Sequence, residues 1–104
     1  LQARDFIYID DAVDATLAAI DQPGINGGVI NVGSGACHTI LELARTLSEL
    51  IGSDIEPVHL PQRRGHLDRS HADISLLREL LGVEPQVGFG EGMDRTVAWF
   101  CAPE

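Results

Sequence analysis

The chain has 104 residues, of which 44% are hydrophobic, and its seven basic and sixteen acidic residues give a formal net charge of −9 at pH 7. This length fits one domain or part of one, and no apolar run approaches the roughly 20 residues that a membrane-spanning helix requires. The negative charge repels phosphate backbones and anionic lipids, so we expect neither a nucleic acid nor a membrane as partner. The composition predicts a soluble globular segment.

The beginning of the sequence and its two cysteines bear on location. The chain starts at Leu1 without a Met, a basic stretch or an apolar leader, which predicts a cut beginning and no targeting signal. Cys37 and Cys101 lack a CxxC spacing, and we interpret them as ordinary thiols of a reducing compartment. The predicted location is therefore the cytoplasm.

The first predicted unit is a strand followed by a helix. Residues 4–9 are typical of a short strand, and Asp10 or Asp11 offers a carboxylate to cap a helix that continues to about Ile20. The apolar face of this helix comprises Val13, Leu17 and Ile20. A single apolar face of this kind is typical of an amphipathic helix.

The second unit has the same order. Residues 22–28 are rich in Gly, Pro and Asn and predict a loop, and residues 29–32 predict a compact apolar strand. Thr39 and Glu42 have the spacing of a capping box, which predicts that a helix starts there. Gly52 is the stop signal that ends this helix. Helical spacing relates Ile40, Leu43, Ala44, Leu47, Leu50 and Ile51.

A third strand is predicted over residues 55–60, and the polar, basic stretch 61–70 predicts an exposed loop. Asp73 or Ser75 can start a helix that Gly82 ends. Its apolar side comprises Ile74, Leu77, Leu80 and Leu81.

The end of the chain predicts one more helix. Residues 85–89 are expected to form a short extended piece, and Glu91 opens the helix. Its apolar face comprises Met93, Val97 and Phe100, with Trp99 near the edge. The alternation of strands and helices predicts an α/β fold.

A Gly-Ser-Gly turn, Gly33 to Gly35, stands between a predicted strand and a predicted helix, where backbone amides can bind a phosphate. The dinucleotide fingerprint fails because its third glycine position is His38. The alternative is that the two glycines relieve backbone strain in a tight turn.

The other candidate for anion binding is the loop 61–69, which contains three of the seven arginines, Arg63, Arg64 and Arg69. Planar guanidinium groups suit diphosphates, whereas the plain alternative is a solvated loop paired with carboxylates. Arg4, beside Asp5 at the head of a strand, has the same two interpretations.

A metal site is a further alternative. The candidate ligands are His59, His66 and His71, with Asp68 and Asp73 near them in sequence. The intervals of seven and five residues match no standard ligand pair, so the sequence gives this alternative little support.

Several short motifs follow one another along the chain: Arg4-Asp5-Phe6-Ile7-Tyr8-Ile9-Asp10-Asp11, Asn31-Val32-Gly33-Ser34-Gly35, Arg63 with Gly65, Ala72-Asp73-Ile74-Ser75, and Leu80-Leu81-Gly82. Their order and intervals resemble the extended short-chain dehydrogenase/reductase family, which includes NAD-dependent nucleotide-sugar epimerases and dehydratases. The resemblance spans nearly all of residues 1–104. It implies that the chain contributes C-terminal strand-helix units and the substrate-binding lobe of a Rossmann-type enzyme.

The resemblance also implies roles for single residues. In that family, the arginines at the positions of Arg4 and Arg63 approach the diphosphate and nucleotide end of a UDP- or dTDP-sugar. The family's usual Arg-Pro-Gly-Asp reads Arg63-Arg64-Gly65-His66 here, so His66 replaces the aspartate that accepts a hydrogen bond from ribose. His66 or Asp68 can still accept such a bond. The substrate-binding residues implied are Arg4, Arg63 and His66.

The family's catalytic Tyr-x-x-x-Lys pair cannot lie in this chain. Tyr8 is the only tyrosine, Ala12 stands four positions later, and the sequence has no lysine. The resemblance therefore implies that NAD and catalysis belong to an N-terminal region absent from the chain, which alone would hold no cofactor and no metal. Its partners would be a nucleotide-sugar, that missing region and a second copy in a homo-oligomer. The alternative class is a stand-alone, non-catalytic α/β binding or interaction module.

Overall fold

The computed structural model describes residues 2–53, 69–70 and 72–102, and these ranges form a mixed α/β fold of four helices and three very short strands. The elements are β1 Ala3–Arg4, α1 Ile9–Asp21, β2 His38–Thr39, α2 Ile40–Ile51, β3 Arg69–Ser70, α3 Ser75–Leu81 and α4 Phe89–Cys101. The predicted α/β class is confirmed. None of these helices has the length and apolar character to cross a membrane.

The three strands form one small sheet in the order β2-β1-β3. β1 runs antiparallel to β2, with Arg4 opposite His38, and parallel to β3, with Arg4 opposite Ser70. β3 lies inside the stretch 61–70 that the sequence predicted as a loop, and this part of the prediction was wrong. The sheet brings three distant segments of the chain together around Arg4.

The strand predicted over residues 4–9 is much shorter in the structure, because β1 ends at Arg4. Its neighbours β2 and β3 are equally short, so no described strand continues the ladder. The chain enters α1 at Ile9, where the amides of Asp11 and Ala12 donate to the Tyr8 carbonyl. Tyr8 is the N-cap residue without a side-chain cap, so the predicted capping by an aspartate was also wrong.

The strand predicted over residues 29–32 does not form in the described part of the chain. A strand needs a neighbour to satisfy its backbone groups, and these residues pair with none of β1, β2 or β3. Val29 is 85% exposed. The strand predicted over residues 55–60 lies outside the described residues.

The helix α2 matches its prediction closely. The Glu42 amide donates to Thr39 Oγ1 at 3.0 Å, and the Thr39 amide donates to Glu42 Oε1 at 3.2 Å. Gly52 ends the helix in the left-handed conformation, with φ of 70°. The predicted capping box and glycine stop are therefore confirmed.

The last two helices agree with prediction in number, and the start of α3 at Ser75 is one of the two predicted, whereas α4 starts earlier than predicted. α3 begins at Ser75, whose amide donates to the Asp73 carboxylate at 3.0 Å, and Gly82 follows its end. α4 begins at Phe89, two residues earlier than predicted, which shortens the extended piece predicted over residues 85–89. The glycines near this start hide the helix from sequence patterns, because glycine disfavours helices.

The apolar core is small and lies between α1 and α3. Its fully buried members are Ala15, Ile74 and Leu77. Partly buried residues surround them: Ile30, Ala72, Leu81 and Val83. Asp11 is also buried, at 3% exposure, on the same side of α1 as Ala15.

The predicted apolar face of α1 is exposed. Val13, Leu17 and Ile20 are 46%, 55% and 74% exposed. At about 100° per residue, this face points away from Asp11 and Ala15, which are the buried residues of the same helix. The exposed side of α1 is thus more apolar than its buried side.

We predict that the chain self-associates through this exposed face of α1, because burial of apolar surface favours contact between copies. Leu17→Glu should reduce association in sedimentation velocity, since it places a charge in the contact. Gln22→Glu adds the same charge at the exposed C-cap of α1 and should have little effect. A monomeric wild-type chain, or equal association of both variants, would contradict the prediction.

Candidate functional site

An open cavity of about 390 Å³ lies beside β1 and β3. It is lined by Arg4, Asp5, Asn31, Val32, Gly33, Ser70, Ala72 and Asp73. These residues come from three stretches of chain that are far apart in sequence. The short sheet positions two of the stretches, because β3 pairs directly with β1.

Arg4 supplies the positive charge of the cavity lining. Its guanidinium donates from Nη1 to the Ala3 carbonyl oxygen at 2.8 Å. Among the ion pairs of the described residues, none involves Arg4. Its charge is therefore not neutralised by a carboxylate of that part of the chain, and its predicted role in substrate binding stays a prediction.

Asp5, the next residue, binds two remote segments through its carboxylate. Oδ1 accepts from the Ser34 amide at 2.8 Å and from the Ser34 hydroxyl at 2.6 Å. Oδ2 accepts from the Gly35 amide at 3.0 Å and from the Ala72 amide at 3.2 Å. Four donors thus converge on one side chain. For Asp5 itself, the sequence had indicated only a surface ion pair with Arg4.

The turn predicted as a possible phosphate cradle is consequently filled by the chain's own carboxylate. Its amides are engaged by Asp5, so the arrangement does not fit the pyrophosphate of NAD. A Cβ added at Gly33 would lie 2.8 Å from Asp5 Oδ2, and Gly35 has φ of +78°. Glycine is therefore needed at one position for close approach and at the other for a left-handed backbone.

The environment of Asp5 favours its ionised form. Burial of the Asp5 carboxyl opposes ionisation, but the hydrogen bonds from Ser34, Ala72 and Gly35 together outweigh it and lower the pKa below the ordinary value of 3.8. The group therefore stays negative at neutral pH. A neutral carboxyl would accept less strongly from the same four donors.

Asp11, a buried carboxylate in the first turn of α1, performs a similar task. It accepts from the Gln86 amide at 3.0 Å and from the Val87 amide at 2.9 Å. These contacts tie α1 to the segment that precedes α4. The sequence had indicated a helix cap at this position, and no local pattern points to the long-range contact.

Arg63 and His66 lie outside the described residues, as do Asp68 and the candidate metal ligands His59 and His71. The described β3 follows directly after this stretch, and its Ser70 pairs with Arg4. The end of the predicted arginine loop is therefore anchored beside the cavity.

Sequence reasoning missed several residues of the cavity. Asn31, Ser70 and Asp73 line it, and none of them belonged to the predicted site. His38 stacks on Phe89 with ring centroids 4.1 Å apart. A sheet pairing that joins remote segments leaves no local signal, so these positions could not be found from spacing.

We predict that Asp5 makes stability depend on acidity. In the unfolded chain this carboxyl binds a proton near pH 3.8, whereas in the folded chain it does so only at lower pH. The unfolded state then holds more protons, and the free energy of unfolding falls as the pH drops below about 4. Asp5→Asn should show a weaker dependence than wild type in thermal unfolding between about pH 4 and pH 2.

Glu42 provides an internal control for that experiment. Hydrogen bonds from His38 and Thr39 lower the Glu42 pKa below 4.5, and this effect is common to wild type and variant. Asp14, an exposed aspartate on α1, is the matched control position, and Asp14→Asn should behave like wild type. Identical pH dependence of wild type and Asp5→Asn would contradict the prediction.

Residues 1–33 match the model of the NAD dependent epimerase/dehydratase family. The chain is 39% identical over 97 residues to a UDP-glucose 4-epimerase from Mycolicibacterium smegmatis, covering 93% of this chain and 31% of that protein. Its fold is similar to the structure of a UDP-glucose 4-epimerase from Thermotoga maritima with UDP-glucose. That similarity has a TM-score of 0.86 at 38% identity, covering 95% of this chain and 31% of the other.

A third similar protein is the UDP-glucuronic acid 4-epimerase from Bacillus cereus in complex with UDP-glucuronic acid and NAD. The TM-score is 0.81 at 33% identity, and the match covers 89% of this chain and 30% of the other. The chain thus spans about a third of the length of the relatives that it matches. By sequence motifs, family match and fold, it belongs to the NAD-dependent epimerase/dehydratase family of extended short-chain dehydrogenases/reductases.

Proposed function

We propose that this chain is the substrate-binding part of an NAD-dependent nucleotide-sugar epimerase or dehydratase and holds the diphosphate of a UDP- or dTDP-sugar. The observation that carries the proposal is Arg4, which lines the cavity and whose guanidinium has no carboxylate partner among the described residues. Arg63 is the proposed second cation and His66 the proposed ribose contact. Relatives that carry a UDP-sugar in their structures support the substrate class.

The net negative charge of the chain means that a diphosphate can be bound only through cations close to it. A chain of net charge −9 repels a diphosphate at long range, so binding must rely on cations within reach of the phosphates. At physiological ionic strength the Debye length is about 8 Å, and remote carboxylates are largely screened. Asp5 also lines the cavity, but its charge is engaged by four hydrogen-bond donors.

NAD binding and proton transfer are proposed to reside outside these residues. The chain has no lysine and a single tyrosine, Tyr8, so it cannot supply the family's Tyr-x-x-x-Lys pair. In that pair the lysine lowers the pKa of the tyrosine, which then acts as acid or base. Here the described chain contributes orientation of the substrate, and the reacting sugar would extend toward the missing region.

The lack of a catalytic pair also favours the second candidate, a stand-alone binding or interaction module that takes up the same ligand without chemistry. The two candidates differ in what they need. A module should be folded and functional alone, whereas a substrate-binding part should depend on an NAD-binding partner region. The exposed apolar face of α1 favours the dependent form.

We predict that the purified 104-residue chain neither binds NAD nor converts UDP- or dTDP-sugars, because its glycine turn is filled by Asp5 and the acid/base pair is missing. Calorimetric titration with NAD and a coupled assay with UDP-glucose would measure both. NAD-linked turnover in a rigorously purified sample would contradict this assignment.

For the arginines, we predict that Arg63→Ala or Arg4→Ala weakens UDP binding by about 10- to 150-fold. This range corresponds to the roughly 1.5 to 3 kcal/mol of a charge-assisted hydrogen bond to phosphate. Arg63→Lys should recover only part of the loss, since an ammonium lacks the planar fork. The titration would use a fusion in which the chain replaces the matching third of the M. smegmatis relative. The remaining two thirds of that relative would supply the NAD-binding region.

Two controls make the titration interpretable. NAD affinity should stay near that of the unmodified fusion in all variants, which verifies folding of the cofactor region. Arg45→Ala, at an exposed arginine on α2, should leave UDP binding unchanged. Unchanged UDP affinity in both Arg4→Ala and Arg63→Ala would contradict the assignment of the diphosphate site.

A further inference from the structure

The donors around Asp5 have the geometry of an anion site. The amides of Ser34 and Gly35 are consecutive, and Gly35 adopts a left-handed backbone with φ of 78°. Consecutive amides in such a turn point toward one spot and form a concave site for carboxylate or phosphate. The Ser34 hydroxyl and the Ala72 amide approach the same spot from two sides.

The fit of the site to a single carboxylate is close. The four donor-acceptor distances lie between 2.6 and 3.2 Å, and both oxygens of Asp5 are used twice. Space behind the turn is tight, because a Cβ at Gly33 would lie 2.8 Å from both Asp5 Oδ2 and the Ala72 Cβ. The arrangement therefore holds a planar group with two oxygens rather than a bulky side chain.

We propose that Asp5 is the built-in ligand of an anion-binding site formed by Ser34, Gly35 and Ala72, and that it determines where the cavity accepts an incoming anion. By occupying these donors, Asp5 closes the turn to phosphate and leaves the neighbouring guanidinium of Arg4 as the available contact. The first part stands on the hydrogen bonds alone. The second part rests on the function proposed above and makes Asp5 a positioning residue for the diphosphate.

The proposal implies that removal of the side chain opens the site. Asp5→Ala frees three amides and one hydroxyl together, and it removes a volume close to that of formate, a planar carboxylate of one carbon. The partly buried amides of Ser34 and Ala72 then lose their carboxylate acceptor, so a small anion should bind there. Asp5→Gly removes one carbon more and should accept acetate, which reproduces the whole aspartate side chain.

The test is anion rescue of the 104-residue chain. Asp5→Ala should unfold at a lower temperature than wild type, and sodium formate should restore about 4 °C or more with the saturation expected for one site. Sodium chloride at equal ionic strength should not. For wild type and for Asp14→Ala, sodium formate and sodium chloride should change the unfolding temperature by the same amount. A folded Asp5→Ala variant without a formate-specific response would overturn the proposal.

NMR of backbone amides keeps the test decisive if the variant unfolds. In the wild-type chain, the Ser34, Gly35 and Ala72 amide signals should titrate together at acidic pH as Asp5 gains its proton. Independent titration of these signals would overturn the proposal. Inorganic phosphate should leave them unshifted in wild type, and a phosphate-dependent shift of the Ser34 and Gly35 amides there would show an open site and contradict it.

The positioning role has a separate readout. In the fusion used for the UDP titration, Asp5→Ala should weaken UDP binding, and formate should restore it. Formate rescue of stability in a protein that does not bind UDP would support the built-in ligand and remove the proposed diphosphate function. UDP binding that is equal in wild type and Asp5→Ala would remove the positioning role.

Discussion

The arrangement of this chain depends on carboxylates that bind backbone amides far away in sequence. The apolar core consists of few residues, and each strand of the sheet has only two. Neither feature can by itself hold the segments around the cavity at fixed distances. Asp5 joins β1 to the glycine turn and to Ala72, and Asp11 joins α1 to the segment before α4. Ionised acceptors give short, strong hydrogen bonds, which makes such links effective where apolar packing is thin.

Arg4 and Asp5 are adjacent and oppositely charged, and their side chains have different partners. The Asp5 carboxylate binds the chain's own donors, whereas Arg4, which also lines the cavity, donates to the Ala3 carbonyl and forms no ion pair within the described residues. An ion pair between them would have neutralised both and left the cavity without a binding cation. The amide contacts of Asp5 therefore also have an electrostatic effect, because they engage the carboxylate that lies next to the Arg4 cation in sequence.

Features that depend on neighbouring residues could be predicted from the sequence, and features that depend on remote ones could not. The capping box of Thr39 and Glu42 and the stop at Gly52 are local, and the structure confirms them. The strand predicted over residues 29–32 failed because pairing requires a second strand. The apolar periodicity of α1 was real, but periodicity does not specify which side of a helix the rest of the fold covers. At the site, the family resemblance indicated Arg4, while no pattern indicated that Asp5 contacts Ala72 across 67 positions.

That separation of 67 positions has a consequence for biogenesis. Contacts between remote residues are entropically expensive to close and tend to form late in folding. During synthesis the N-terminal residues of a chain leave the ribosome first, so β1 and the glycine turn emerge well before Ala72. The nascent turn and Asp5 can meet early, but the cavity gains its last wall only when the second half of the chain arrives. The cavity is thereby completed only after residues 70–73 have been synthesised.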